Sequence, residues 1–185
     1  MEWVILGLLV LVALWLVVIY NRLVALRQTV GQSWADIEVQ LKQRQDLVPN
    51  LVETVKGYAA HESGTLEAVI QARNSAAAAH TPEASSAAEG QLSGALSRLF
   101  ALSEAYPDLK ANQNFQALQG ELSALETKIA AARRFFNNAV SEFNAAIQSI
   151  PAVFFAGSLG FRQANFFELD EAERAATRNA PQVKF

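Results

Sequence analysis

"YNRLVALRQTVGQSWADIEVQLKQRQDLVPNLVETVKGY", residues 20–58, decides the fold. One set of residues recurs through it at alternating spacings of three and four: Tyr20, Leu23, Arg27, Val30, Trp34, Ile37, Leu41, Arg44, Val48, Leu51, Val55 and Tyr58. Ten of these twelve positions are apolar, and arginine holds the other two. A seam sustained over five heptads marks a helix packed along its length on other helices. Two residues interrupt its regularity. Arg44 lies on the seam, where an unpaired charge is costly. It is expected to reach the helix edge or to pair with a carboxylate on a neighbouring helix, such as Glu104 or Glu121. A polar seam residue can also fix register or oligomer state. Arg44, with Pro49 close by, is therefore a candidate assembly and register site, and Arg44→Leu is expected to leave the chain folded with an altered oligomer distribution. Pro49 removes one backbone donor and crowds the carbonyl of Gln45. Because the seam keeps its phase across the proline, a bend is expected at Pro49, not a break.

Upstream, "WVILGLLVLVALWLVVIY", residues 3–20, is eighteen residues without a charge. At about 1.5 Å per residue it covers roughly 27 Å, close to the ~30 Å of membrane hydrocarbon. Trp3 and Tyr20 stand at its ends, where amphipathic rings favour the interface. A secretory signal would need a basic start and a small-residue cleavage site. Here Glu2 precedes the run and Tyr20-Asn21-Arg22 follows it. The expectation is a membrane span continuing without a linker into the long helix. Arg22 and Arg27 follow the span and no Lys or Arg precedes it. The positive-inside rule then places the short N-terminus outside and the remainder in the cytoplasm.

Downstream, Leu66, Val69 and Arg73 keep the spacing and predict that the first helix runs past His61. "NSAAAAHTPEASSAAEG", residues 74–90, is small and polar and is expected to bury little area. It reads as the connection at the far end of a hairpin, with Thr81-Pro82 as a helix start. Leu92, Leu96, Leu99 and Leu102 predict another amphipathic helix. "AYPDLKANQNF" interrupts it, with Pro107 disfavouring helix at Tyr106 and with Asn112 and Asn114 available as caps. A second long seam follows: Phe115, Leu118, Leu122, Leu125, Ile129, Ala132, Phe136, Val140, Phe143, Ile147 and Ile150, ending at Pro151. It predicts an antiparallel partner for the first helix. No strand-like alternation bounded by turn signals appears. The fold class is all-α. Residues 1–20 form the transmembrane helix, 21–150 a bundle of about four long helices, and 151–185 an aromatic-rich tail.

Six of the eleven phenylalanines lie in that tail: Phe154, Phe155, Phe161, Phe166, Phe167 and Phe185. Gly157 and Gly160 loosen it, and "DEAERAATR" reads as a short charged helical turn. The rings either cap the bundle or form a membrane-surface or partner patch, for which Phe154, Phe155, Phe161, Phe166 and Phe167 are the candidates. An antiparallel return of the chain would bring "FFAGSLGF" close to the bilayer.

Little in the sequence points to catalysis. The formal net charge is -3 and no basic run occurs, so a nucleic-acid partner is not expected. Without cysteine there are no disulfides, thiolate metal sites or cysteine nucleophile. His61-Glu62 does not open an HExxH helix, because Thr65 stands four residues after His61, and the second histidine lies in the 74–90 connection. Asp46, Glu53, Glu62 and Glu67 read as carboxylates on solvated helix faces. Acid–base work would need a water-excluding cleft around such a pair. No GxSxG, Walker or Rossmann pattern occurs. The chain is expected to be no enzyme and to need no metal or cofactor.

"SWADIEVQLKQRQDLVPNLVETVKGYAAHE" (33–62), "QAR" (71–73), "LSEAYPDLKANQNF" (102–115), "QGELSALETKIAAARRFFNNAV" (119–140) and "GFRQANFF" (160–167) together resemble the LemA family. The resemblance extends over nearly the whole chain, but not to the Ala-rich 75–90 connection. It implies a bacterial inner-membrane protein with one N-terminal span and a cytoplasmic helical bundle. It also implies a possible neighbouring membrane zinc metalloprotease or TPM-domain protein as partner, and it carries over no catalytic residue. Two roles fit the sequence. One is a scaffold or adaptor acting through homo-oligomers and partner binding. The other is a lipid-binding, bilayer-shaping protein acting through the aromatic tail.

Overall fold

The computed structural model describes residues 1–167. The "DEAERAATR" turn and Phe185 lie outside the described residues. Helix α1 runs unbroken from Glu2 to Lys56. Helices α2 (Ser63–Ala78), α3 (Pro82–Ser103), the single turn α4 (Pro107–Lys110) and α5 (Gln113–Gln148) follow, then a 3-10 turn at Ala152–Phe154. No strand occurs among the described residues. The all-α class expected from the two seams is met.

The N-terminal third of α1 stands apart. Side chains from Met1 to Val18 are all exposed, so this apolar stretch is no core helix of the chain. From Leu23 onward α1 is buried on one face. Leu23 packs with Phe143 and Ile147, Ile37 and Leu41 with Ile129, Phe136 and Val140, and Val48 and Leu51 in one cluster with Phe115 and Leu122. Low numbers on α1 meet high numbers on α5, so the two helices are antiparallel. Burying such a seam stabilises the pair by on the order of 2 kcal/mol per large side chain.

Helix α1 ends at Lys56 and does not pass His61; residues 57–62 form turns. The length of its partner explains the stop. Helix α5 has 36 residues, matching 21–56 of α1, so a longer α1 would have no apolar face to meet. Tyr58, assigned to the seam by spacing, is left 44% exposed, and Ala59 is buried in its place. The chain turns back, and α2 buries Leu66, Val69, Ala72 and Ala76. The spacing misled because three- and four-residue steps keep their phase through the turn.

The 74–90 stretch is also mostly helix. Helix α2 continues to Ala78, the link is Ala79–Thr81, and α3 starts at Pro82. Thr81 caps α3 by accepting from the Ala84 amide at 3.3 Å, with Pro82 in the first turn, as its sequence signal predicts. Ala76, Ser85, Ala88 and Glu89 are buried. Alanine has the highest helix propensity, and its small side chain lets α2 and α3 approach closely. Asn112 caps α5 by accepting from the Phe115 amide at 3.0 Å.

Helices α2 and α3 cover only the distal half of the α1–α5 pair. Nearer the apolar N-terminal segment, the extended segment 161–167 takes their place, with Phe161 packed beside Leu23 and Phe167 beside Ile37 and Leu41.

Candidate functional site

At Pro49 a polar network joins all four long helices. Proline has no N–H, so the carbonyl of Gln45 loses its helical donor. Arg73 of α2 supplies one: its Nε donates to that carbonyl at 3.2 Å. The side chain of Gln45 in turn donates through Nε2 to Glu89 Oε1 of α3 at 2.8 Å. α1 passes through Pro49 with no break, and the released acceptor is satisfied from outside the helix.

Arg44 occupies the centre. It is 2% exposed, and its guanidinium pairs with Glu89 of α3 and Glu126 of α5. It also donates to Ser93 Oγ at 3.0 Å and to the Glu89 carbonyl at 3.3 Å. The partners are not those suggested from sequence. Glu104 pairs with Lys110 at 2.6 Å, and Glu121 lies on the outer α1–α5 groove beside Gln43 and Leu47. Partner choice depends on how α3 and α5 are rotated against α1, which spacing along one helix does not encode.

Beside the guanidinium is a cavity of about 70 Å³ lined by Arg44, Glu89, Ser93, Glu126, Arg133 and Phe167 among others. That admits a few waters and no metabolite. Arg44 Nε and Gln40 Oε1, one turn apart on α1, are buried with no hydrogen-bond partner among the described residues. Glu89 is buried and Glu126 half exposed, so one carboxylate balances the buried guanidinium and the second reaches solvent. The arrangement suits a joint that fixes the helices against one another.

His61 is exposed at the turn between α1 and α2. Glu62 accepts from the Tyr106 hydroxyl at 3.1 Å, and Asn112 Nδ2 donates to the Tyr58 hydroxyl at 2.9 Å. These two bonds tie the 57–62 turn to the turns around α4. The hydrogen bond to Glu62 holds the Tyr106 phenol above its ordinary value of 10.0.

The five candidate phenylalanines separate into two groups. Phe161 and Phe167 do not belong to an exposed patch, because both are buried in the bundle. Phe161 meets Tyr20 edge-on at 5.7 Å and lies under the Arg27 guanidinium at 5.2 Å. Phe167 packs on Trp34 at 5.9 Å under Arg133 at 4.9 Å. Phe154 is 78% exposed, Phe166 is also exposed, and Phe155 is half-buried. Ile150, Val153 and Leu159 add to the exposed group and were not among the candidates.

Two residues missed in the sequence hold this tail. Asn144 donates to the Ala164 carbonyl and accepts from the Ala164 amide, each at 2.9 Å. Asn137, two turns earlier on α5, does the same with Phe167 at 3.0 and 2.9 Å. The available signal was two asparagines seven residues apart inside a helix, where asparagine is a poor former.

Fold and site thus define a membrane-associated, all-α protein with an apolar N-terminal helix and a polar joint at the core of its bundle. The chain belongs to the LemA family, whose pattern matches residues 33–185. Among curated proteins it is similar to the magnetosome protein MamQ of Magnetospirillum gryphiswaldense and to magnetosome proteins MamQ 1 and MamQ 2 of Paramagnetospirillum magneticum. Each is 24% identical, over 80% of this chain and 64% of the relative. The chain thus spans 64% of the length of these relatives.

Proposed function

We propose that the protein is a single-pass scaffold of the bacterial inner membrane, acting by assembly and partner binding and without a catalytic centre of its own. The observation that carries this reading is the continuity of α1 across the end of its apolar segment. The 36 residues from Asn21 to Lys56 extend about 54 Å beyond the span. With no flexible linker, the bundle is held at a set angle and height, which suits presentation of a surface and not a search for soluble substrate. Arg22 and Arg27 support an orientation with the bundle in the cytoplasm.

The partner is a second copy of the chain, a neighbouring membrane metalloprotease or a TPM-domain protein. Phe135, 59% exposed on α5, and Val39, 54% exposed on α1, are apolar contact points available on the rod. The test is extraction of the full-length chain into native-lipid discs followed by mass measurement. A homo-oligomer or a stoichiometric complex is expected. A strictly monomeric, partner-free protein overturns the scaffold reading.

A further inference from the structure

The chain folds a second apolar element against the end of its span. Residues 143–161 contain no charge, the longest such run outside the span itself. Within it, Ser149–Gly160 forms a compact turn. Ala152 and Ala156 are buried against Leu23, Phe143 and Ile147. The large apolar side chains point the other way: Ile150 is 80% exposed and Phe154 78%, with Val153 and Leu159 close to half exposed. The informative feature is the contiguous exposure of large apolar side chains, which a soluble surface rarely shows.

Three further observations bear on what covers this face. First, Phe155, Ser158 and Leu159 line a groove of about 370 Å³ whose other wall is Leu16, Val17 and Tyr20. Leu16 and Val17 belong to the apolar N-terminal segment, so the groove is continuous with the surface that lipid must cover. Second, the turn satisfies much of its own backbone. Val153 donates to Ser149 at 2.9 Å, Phe155 and Ala156 donate to Ala152 at 3.0 and 2.7 Å, and Phe161 donates to Ala156 at 2.9 Å. Ser149 and Ser158 hydroxyls donate to the Ala145 and Phe155 carbonyls, both at 2.7 Å. Self-satisfied peptide groups are what hydrocarbon demands of a segment that enters it. Third, among the described residues, Arg22, Arg27 and Arg162 are exposed around this end, with Glu142 the acidic side chain beside them. That balance suits anionic headgroups.

We propose that the Ser149–Gly160 turn is a second membrane-insertion element. Ile150, Val153, Phe154 and Leu159 enter the leaflet facing the bundle, and a phospholipid acyl chain fills the groove between the turn and Leu16–Tyr20. The inference rests on reading residues 3–20 as a membrane span, and its test separates the two.

The chain has no cysteine, so single nitroxide labels can be placed on the full-length protein without altering native thiols. Phe154→Cys and Ile150→Cys report the turn, Leu11→Cys the span, and Asn50→Cys the distal rod; all four positions are exposed. Each variant is reconstituted in phosphatidylethanolamine–phosphatidylglycerol vesicles. Collision with oxygen, which enters hydrocarbon, is compared with collision with a polar nickel chelate, which does not. At Phe154 and Ile150 the oxygen-to-nickel ratio is expected to rise severalfold above Asn50, towards that of Leu11. A ratio equal to Asn50, with Leu11 high, overturns the insertion element and leaves the span intact. Low access to both reagents at Phe154 and Ile150 means that a protein surface covers the turn, which also overturns it. Nickel access at Leu11 overturns the span reading and the inference together.

Discussion

Arg73 Nε and the Gln45 carbonyl are 3.2 Å apart, and Pro49 is the reason that carbonyl is available. A helix kept whole across a proline by a side chain from its neighbour makes a specific coupling prediction. Arg73→Ala is expected to destabilise the bundle by about 2 kcal/mol, the size of a charge-assisted hydrogen bond. In a Pro49→Ala background the restored amide takes over as donor, so the same substitution is expected to cost clearly less. Denaturant unfolding of the four proteins of this cycle in detergent checks it. Additive losses would show that the two residues act independently.

Arg44 and Glu89 are both buried, so neither is dispensable alone. Arg44→Leu is expected to cost about 3–5 kcal/mol, because it strands the Glu89 carboxylate in the core. The altered oligomer distribution expected of the same variant is read separately, by native mass. Arg44→Leu with Glu89→Leu is expected to recover most of the loss. Glu126→Gln is expected to be mild, since that carboxylate is half exposed. Thermal melts of the three variants read the order; equal losses in the single and double variants would count against the stranded-charge account.

The Tyr106–Glu62 bond gives a signed pH dependence. The folded phenol titrates above 10.0, so its contribution is full below that value and is lost as pH rises through the raised one. Glu83, at the start of α3, shows the opposite sign. Hydrogen bonding to its own backbone holds its carboxyl below 4.5, so its contribution is present at neutral pH and fades as pH falls through the lowered value. Ultraviolet titration is expected to show the Tyr106 phenol ionising earlier in Glu62→Gln than in the parent chain. A titration unchanged by that substitution would remove the Glu62 bond as the cause.

Much of this architecture was legible from side-chain periodicity. The two seams marked α1 and α5 because each helix buries one face, α1 from Leu23 to Val55 and α5 from Phe115 to Ile147, and Thr81-Pro82 and Asn112 marked real starts because capping is local. The stop at Lys56 was not legible. Val55, Ala59 and Leu66 stay in phase through a turn, and the stop depends on the length of a partner 57 residues later in the chain, beginning at Gln113. The polar site was half legible. Arg44 and Arg73 fall on seam positions and Pro49 lies inside the same helix as Arg44, but that Pro49 releases the acceptor which Arg73 fills is a tertiary fact. Glu89 was hidden in an alanine-rich stretch that composition made look like a loop.

Asn137 and Asn144 make a prediction about the tail. Asn144→Leu removes both a donor and an acceptor for Ala164 and is expected to cost about 1–3 kcal/mol locally. Asn144→Asp keeps the acceptor for the Ala164 amide but sets a carboxylate against its carbonyl, so a smaller loss is expected. Amide exchange at Ala164 and Phe167 reads both, with Phe161 as the neighbouring reference. Protection unchanged in Asn144→Leu would mean that ring packing alone holds the segment.

The unbroken α1 also has a mechanical meaning. A span tilted by about 20°, an ordinary value in a bilayer, carries its continuation with it. Over the ~54 Å from Asn21 to Lys56 that rotation displaces the far turn sideways by about 18 Å. Whatever sets that tilt, an interfacial anchor such as Tyr20 or a packed neighbour, is thereby converted into lateral reach of the far turn. On the scaffold reading proposed above, the helix is a lever whose short arm is the apolar segment.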